Sequence, residues 1–175
     1  MNNKSVYFLS MFLGAAFGNL AGLYNSLFLT YLVIPFSPFE EPVDLSLTIL
    51  VTIIAPIAEE AVKLIPVMFL LSQEKIFLSL KGWIIMGGLA ALGFSVFENF
   101  IYFLLFMNTY SFLVSLVLLL SRFMLSTPMH LSTTIIASYG VGMWHSYGFK
   151  KYLSAIPTAI ILHSLYNGFI VRPII

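Results

Sequence analysis

The chain alternates long apolar segments with short polar ones, and the apolar segments have the length of membrane helices. About 20 apolar residues are needed to cross the hydrocarbon core of a bilayer. Residues 6–34, 45–72, 82–107 and 154–171 approach or exceed this length, and the acidic, proline-rich residues 35–44 predict a loop. The pattern therefore predicts an all-α, polytopic helical membrane protein with five to six transmembrane helices.

Residues 109–147 form an apolar segment that is too long for one crossing at about 1.5 Å per residue. The segment contains Arg122 and Pro128. It predicts either two short crossings that meet near Arg122, or one crossing preceded by an interfacial or re-entrant helix near residues 110–122. With five crossings, the lysines between the apolar segments all lie on one side of the membrane. Because positive loops prefer the cytoplasm, we favour five crossings and a cytoplasmic N-terminus.

Gly14, Gly18 and Gly22 lie four residues apart in the first apolar segment. This spacing places them on one face of a helix and forms a doubled GxxxG pattern. Small residues at this spacing let two membrane helices approach closely. The pattern predicts a tight helix contact on this face.

Composition agrees with a membrane protein and excludes several other classes. The chain is 60% hydrophobic and 9% charged, whereas about a quarter of the residues are charged in soluble domains. The net charge of +1 leaves no basic face for nucleic acid, and the absence of cysteine excludes disulfides and thiol chemistry. No repeat or linker divides residues 1–175, which predicts a single integral membrane domain surrounded by the lipid bilayer.

Ionisable side chains and histidines occur at similar depth in four of the apolar segments. They are Glu59, Glu60 and Lys63 in the second segment, Glu98 in the third, His130 in the long fourth and His163 in the last. An isolated charge at the bilayer centre costs about 2.5–3.5 kcal/mol on insertion scales. These groups must therefore pair with one another, bind an ion or line a hydrated cavity. Pairing that only stabilises the structure remains an alternative to a functional site.

The spacing of the two glutamates suggests different directions for their side chains. Glu59 and Lys63 lie four positions apart and share one helix face. Glu59 and Glu60 point about 100° apart around the helix axis. One glutamate is expected to face the reacting groups, and the other to pair with Lys63 or a neighbouring helix. The spacing does not decide which glutamate has which role.

Two further polar residues lie one helical turn after a candidate site residue. Tyr102 follows Glu98 by four positions, and Asn167 follows His163 by four positions. In each pair the second side chain is placed to orient the first through a hydrogen bond, as metal ligands and catalytic bases require.

The candidate residues are compatible with two hydrolytic mechanisms. Catalytic zinc accepts imidazole nitrogen and carboxylate oxygen and keeps one position for water. Glu98, His130 and His163 are candidate ligands, with Glu59 as the general base. In the metal-free alternative, a glutamate activates water, a histidine assists, and Asn167 stabilises the oxyanion. The residue types alone leave both mechanisms open.

Four short motifs occur in order along the apolar segments. They are EEAVK at residues 59–63, FSVFENFIY at 94–102, RFMLSTPMH at 122–130 and HSLYN at 163–167. Together they resemble the motifs of PrsW-type intramembrane proteases, within the Abi and CAAX-processing protease superfamily. Glu98 stands where the second motif of that superfamily often has a histidine. The chain is shorter than larger members and lacks their extra spans.

The resemblance implies an intramembrane endopeptidase that cleaves a membrane-associated substrate. Bacterial members are associated with cleavage of anti-sigma factors, so an anti-sigma factor is a candidate partner. The site residues that the resemblance implies are Glu59, Glu60, Glu98, His130, His163 and Asn167. It also implies a location in the cytoplasmic membrane of a prokaryote and a catalytic core over about residues 45–172.

Two other classes of function remain open from the sequence. Intramembrane glutamate, histidine and lysine also serve proton- or cation-coupled transporters, although those proteins often carry inverted repeats and none is visible here. A non-catalytic scaffold of the same fold is the second alternative, because fold does not guarantee activity. A scaffold predicts that Glu59→Ala leaves function intact.

Overall fold

A computed structural model describes residues 3–28, 48–72 and 78–171. Within this part of the chain the α-helices of 12 residues or more are α1 (Asn3–Phe28), α2 (Ala55–Leu71), α3 (Leu80–Thr109), α4 (Phe112–Tyr147) and α5 (Ala155–Tyr166). The described residues contain no strand, which confirms the all-α prediction. The loop predicted at 35–44 lies outside the described residues.

Two of these helices, α3 and α4, are long and apolar enough to cross a membrane. The total of five to six crossings stays a prediction, because residues 29–47 between the first two helices are not described.

Two π-helical segments adjoin the helices that carry the polar residues. Leu50–Ile54 leads into α2, and Asn167–Val171 follows α5. Pro56 follows the first π-helical segment without a break in the helical backbone, so its missing amide hydrogen removes a donor inside the helix. Pro66 lies inside α2 without ending it. The irregular backbone of this region therefore lies directly before α2, in Leu50–Ile54.

Residues 112–147 form one uninterrupted helix of 36 residues. At 1.5 Å per residue the helix is about 54 Å long, so it extends beyond a hydrocarbon core of about 30 Å. A single helix cannot cross twice, so the two-crossing alternative is wrong, and the separate helix expected near residues 110–122 is the first part of α4. Pro128 removes one backbone hydrogen bond, which the extensive packing of α4 against α3 outweighs. The helix ends at Gly148, whose φ of 73° is a left-handed conformation suited to glycine.

The first helix packs closely against α3 through glycines on both helices. A Cβ atom built on Gly14 would lie 2.1 Å from the carbonyl oxygen of Ala90, and one on Gly93 would lie 2.0 Å from that of Met11. Glycine, whose side chain is a single hydrogen atom, is the residue that allows the two backbones to approach this closely. The tight contact predicted from the GxxxG pattern is confirmed at Gly14, whereas Gly22 lies among residues whose surroundings are not described.

The glycine contact predicts a stability difference between two substitutions on α3. Gly93→Ala should lower stability by about 1–3 kcal/mol, because the added methyl group overlaps the backbone of α1. Gly88→Ala is the matched control, since its Cβ would lie 3.5 Å from the nearest atom of Ile135. The control should be neutral or slightly stabilising, because alanine favours helix by about 1 kcal/mol over glycine. Thermal unfolding in detergent micelles measures both, and equal unfolding temperatures would contradict the packing described here.

Candidate active site

Helices α2 to α5 bring the ionisable residues of the apolar segments together in the protein interior. The cluster contains Glu59, Glu60 and Lys63 from α2, Glu98 from α3, His130 from α4 and His163 from α5. All except Glu98 are buried, and the Glu98 side chain is 15% exposed. Residues that are more than 100 positions apart in sequence therefore meet at one place.

The carboxylate of Glu60 is the most highly connected group of the cluster. Its Oε1 accepts hydrogen bonds from Lys63 Nζ at 2.7 Å, His163 Nδ1 at 2.8 Å and Thr133 Oγ1 at 3.0 Å. Its Oε2 accepts from Thr134 Oγ1 at 3.4 Å. Glu60 is thus occupied in binding its neighbours, and it is the glutamate that pairs with Lys63. The two threonines are site residues that the sequence analysis did not find.

Glu59 points towards the two histidines. Its Oε2 lies 3.6 Å from His163 Nε2. Glu59, His130 and His163 each offer one donor atom, and these three atoms lie within 4.8 Å of one another. Two imidazole nitrogens and a carboxylate oxygen are the donors of catalytic zinc sites. The ring N–H of His163 is held by a carboxylate, as in metal sites generally. The donor set therefore fits a metal ion.

Glu98 occupies a different position from the metal ligand expected from the sequence. Its Oε2 lies 3.0 Å from His130 Nε2 and 3.0 Å from Arg122 Nη2. The guanidinium of Arg122 in turn lies 3.6 Å from the centroid of the Tyr102 ring. Because Arg122 and His130 both bind this carboxylate, Glu59 replaces Glu98 in the group that fits a metal. Tyr102 supports Glu98 through Arg122 rather than through the direct hydrogen bond that we expected.

A polar network on α3 and α4 holds Arg122 in place. Arg122 Nε donates to Asn99 Oδ1 at 3.0 Å, and Asn99 Nδ2 donates to Thr127 Oγ1 at 3.2 Å. The hydroxyl groups of Thr127 and Ser95 lie 2.7 Å apart. In the sequence, Asn99 directly follows Glu98, and Ser95 lies one helical turn before Asn99. The network fixes Arg122, and with it the carboxylate of Glu98.

Asn167 lies at the edge of the cluster and binds the backbone. Its amide nitrogen donates to the carbonyl oxygen of Val51 at 2.9 Å, inside the first π-helical segment. The ring of His163 is oriented by Glu60 instead of by Asn167. His145 lies apart from the cluster, with its ring 5.5 Å from that of Trp83.

Comparison with known protein families gives a match. A family model described as PrsW family intramembrane metalloprotease matches residues 2–174. The chain belongs to the PrsW family. No curated protein and no solved structure is significantly similar to it. Membership of the PrsW family makes the protein a membrane-embedded hydrolase of the metalloprotease class, which agrees with the donor set of Glu59, His130 and His163. The wider Abi and CAAX-processing grouping stays a prediction.

The contact between Arg122 and Glu98 predicts a measurable coupling in this PrsW-family protein. A double-mutant cycle with Arg122→Gln and Glu98→Gln should give an interaction energy of about 1–3 kcal/mol, because each single variant leaves a poorly solvated partner. Thermal unfolding in detergent micelles supplies the four stabilities.

A control cycle combines Arg122→Gln with His145→Ala. These residues lie 23 positions apart on α4, or about 34 Å at 1.5 Å per residue. Their effects should add to within about 0.5 kcal/mol. Additive effects in the Arg122–Glu98 cycle would show that the ion pair contributes nothing.

Proposed function

We propose that this protein is an intramembrane endopeptidase that hydrolyses a peptide bond of a membrane-associated substrate with a water molecule activated at Glu59. The observation that carries the proposal is the buried group of Glu59, His130 and His163, delivered by three helices to one place. Family membership supports the reaction class. The position of the Glu59 carboxylate next to His163 Nε2 supports its role at the reacting water.

Glu59, His130 and His163 are the residues that would hold a metal ion, which we propose to be zinc. A zinc ion in such a site polarises a carbonyl group and makes water acidic enough to act as a nucleophile. The protein's own groups supply the orientation. Glu60 holds the Nδ1 hydrogen of His163 and so keeps its Nε2 lone pair directed at Glu59.

The metal-free mechanism uses the same geometry and is kept as the alternative. Glu59 then takes a proton from water directly, with His163 Nε2 beside it to share that proton. Glu98 orients His130, and Asn167 positions the end of α5 against the π-helical segment before α2. We therefore keep Glu60, Glu98 and Asn167 in the proposed site as positioning residues.

The proposed substrate is a segment of a membrane protein. A site enclosed by four apolar helices favours peptides that enter from the bilayer over soluble ones. An anti-sigma factor is the candidate substrate that the family resemblance implies. We also propose a single integral membrane domain, with its catalytic core over about residues 45–172, in the cytoplasmic membrane of a prokaryote and with a cytoplasmic N-terminus.

The proposed roles predict a loss of cleavage in two variants. Glu59→Gln and His163→Ala should each lower the cleavage rate by roughly 100- to 10,000-fold, the range expected for loss of a general base or its equivalent. The rate is measured in proteoliposomes with a single-span anti-sigma factor as substrate, and mass spectrometry identifies the products.

His145→Ala is the matched control, because this histidine is exposed and lies outside the cluster. It should cleave at the wild-type rate. Thermal unfolding shows whether each variant is folded. Wild-type cleavage by a folded Glu59→Gln variant would remove the enzymatic proposal and favour the scaffold.

Metal removal separates the two mechanisms. Purified protein should contain about one zinc ion per chain, and a strong chelator should abolish cleavage until zinc is added back. His130→Ala should lower the zinc content, whereas His145→Ala should leave it unchanged. Full cleavage by protein that elemental analysis shows to be free of metal would support the metal-free mechanism.

A further inference from the structure

The side chain of Lys63 lies between a carboxylate and a histidine of the site. Its Nζ atom is 2.7 Å from Glu60 Oε1 and 2.6 Å from His130 Nδ1. It also lies 4.6 Å from the centroid of the Phe94 ring, and the residue is completely buried. A cationic group is therefore in direct contact with one of the three proposed metal ligands, His130.

The hydrogen bonds of Lys63 determine which nitrogen of His130 carries the ring hydrogen. A lysine ammonium has three donors and no acceptor, so Nδ1 of His130 must accept. Nε2 of His130 then carries the hydrogen and donates to Glu98 Oε2 at 3.0 Å. His163 has the complementary arrangement, with Nδ1 donating to Glu60 and the lone pair on Nε2. Each histidine thus donates to its own carboxylate and directs its lone pair into the cluster.

This arrangement is the one that metal-binding histidines require, except that the lone pair of His130 is taken by Lys63. A ligating histidine binds the metal through one nitrogen and donates its other ring N–H to a carboxylate or carbonyl. Binding through Nε2 of His130 would break its hydrogen bond to Glu98, whereas binding through Nδ1 would keep it. In that case Lys63 Nζ must move away from Nδ1 of His130.

The charges of the cluster point the same way. Glu60 and Glu98 are each paired with a cation, Lys63 and Arg122 respectively, so the Lys63 ammonium already has a carboxylate partner before any ion binds. If Lys63 kept its hydrogen bond to His130 while a divalent ion bound the same imidazole nitrogen, two cations would share one lone pair. Such like-charge contact is strongly unfavourable in a poorly solvated interior.

We infer that the Lys63 ammonium and the metal ion compete for the Nδ1 lone pair of His130. In the ion-free protein Lys63 holds His130 and Glu60 together, and it must release His130 before the ion binds. Lys63 therefore limits the affinity of the site for metal and stabilises the site without it. This inference rests on the proposed metal site formed by Glu59, His130 and His163.

Zinc affinity of the purified full chain in lipid nanodiscs tests the competition. It is measured by titration against a chromophoric chelator for wild type, Lys63→Met and Lys81→Met. Lys63→Met should bind zinc at least about tenfold more tightly, because a charge-assisted hydrogen bond no longer has to be broken. Lys81→Met is the control, since Lys81 is exposed near the start of α3, and its affinity should equal that of wild type. Equal or weaker binding by Lys63→Met would overturn the inference.

A second measurement uses the wild-type chain and does not depend on the folding of a variant. The chain has three histidines, which single substitutions assign in the ¹⁵N spectrum. Without metal, His130 should carry its hydrogen on Nε2. With ¹¹³Cd²⁺ as the probe, the coupling to cadmium should appear at Nδ1 of His130 and at Nε2 of His163. Coupling at Nε2 of His130 would overturn the inference.

The outcomes also distinguish this inference from the proposed function. If wild type binds zinc and cadmium but Lys63→Met binds no more tightly, the competition is wrong and the metal site stands. If neither protein binds either ion while Glu59→Gln still loses cleavage, the metal site and the competition are both wrong and the metal-free mechanism remains.

Discussion

The structure depends on the high free energy of an isolated charge in an apolar interior. Three carboxylates of this chain lie where water cannot solvate them freely, so each must be stabilised by groups from other helices. Glu60 binds donors from α2, α4 and α5, and Glu98 joins α3 to α4. The same contacts that neutralise the carboxylates therefore fix the relative positions of the helices. Stability and site geometry have one physical cause here, and a change to either is expected to affect both.

The adjacent glutamates show how one motif supplies two roles. Their side chains leave the helix about 100° apart, so they face different neighbours. Glu60 faces the lysine, the threonines and Nδ1 of His163, and all of these groups donate to it. Glu59 faces Nε2 of the same histidine. His163 thus lies between the two carboxylates, with Glu60 bound to its Nδ1 and Glu59 next to its Nε2.

The sequence predicts the fold class, the depth of the polar residues and their convergence, because burial energy constrains all three. It does not predict which carboxylate meets which cation. Depth along a helix gives the layer of a side chain, but the rotation of the helix decides its partner. Arg122 pairs with Glu98, and it is Glu59 whose carboxylate lies with His130 and His163 in the group that could hold a metal ion. Nor does local sequence show that α4 continues through Pro128, since tertiary packing against α3 decides that.

The two π-helical segments explain how the second and last helices meet at the site. Such segments widen the helix and leave backbone groups poorly paired, and they occur frequently at functional sites. Here they contact each other, and the Asn167 amide of one binds the Val51 carbonyl of the other. Irregular backbone persists at membrane depth only where protein or water satisfies its polar groups. The Asn167 contact meets that requirement, so the chain tolerates the irregularity between Leu50 and Ile54, directly before the turn that carries Glu59. The backbone distortion and the polar cluster are thus parts of one arrangement, in which each irregular segment is stabilised by the other.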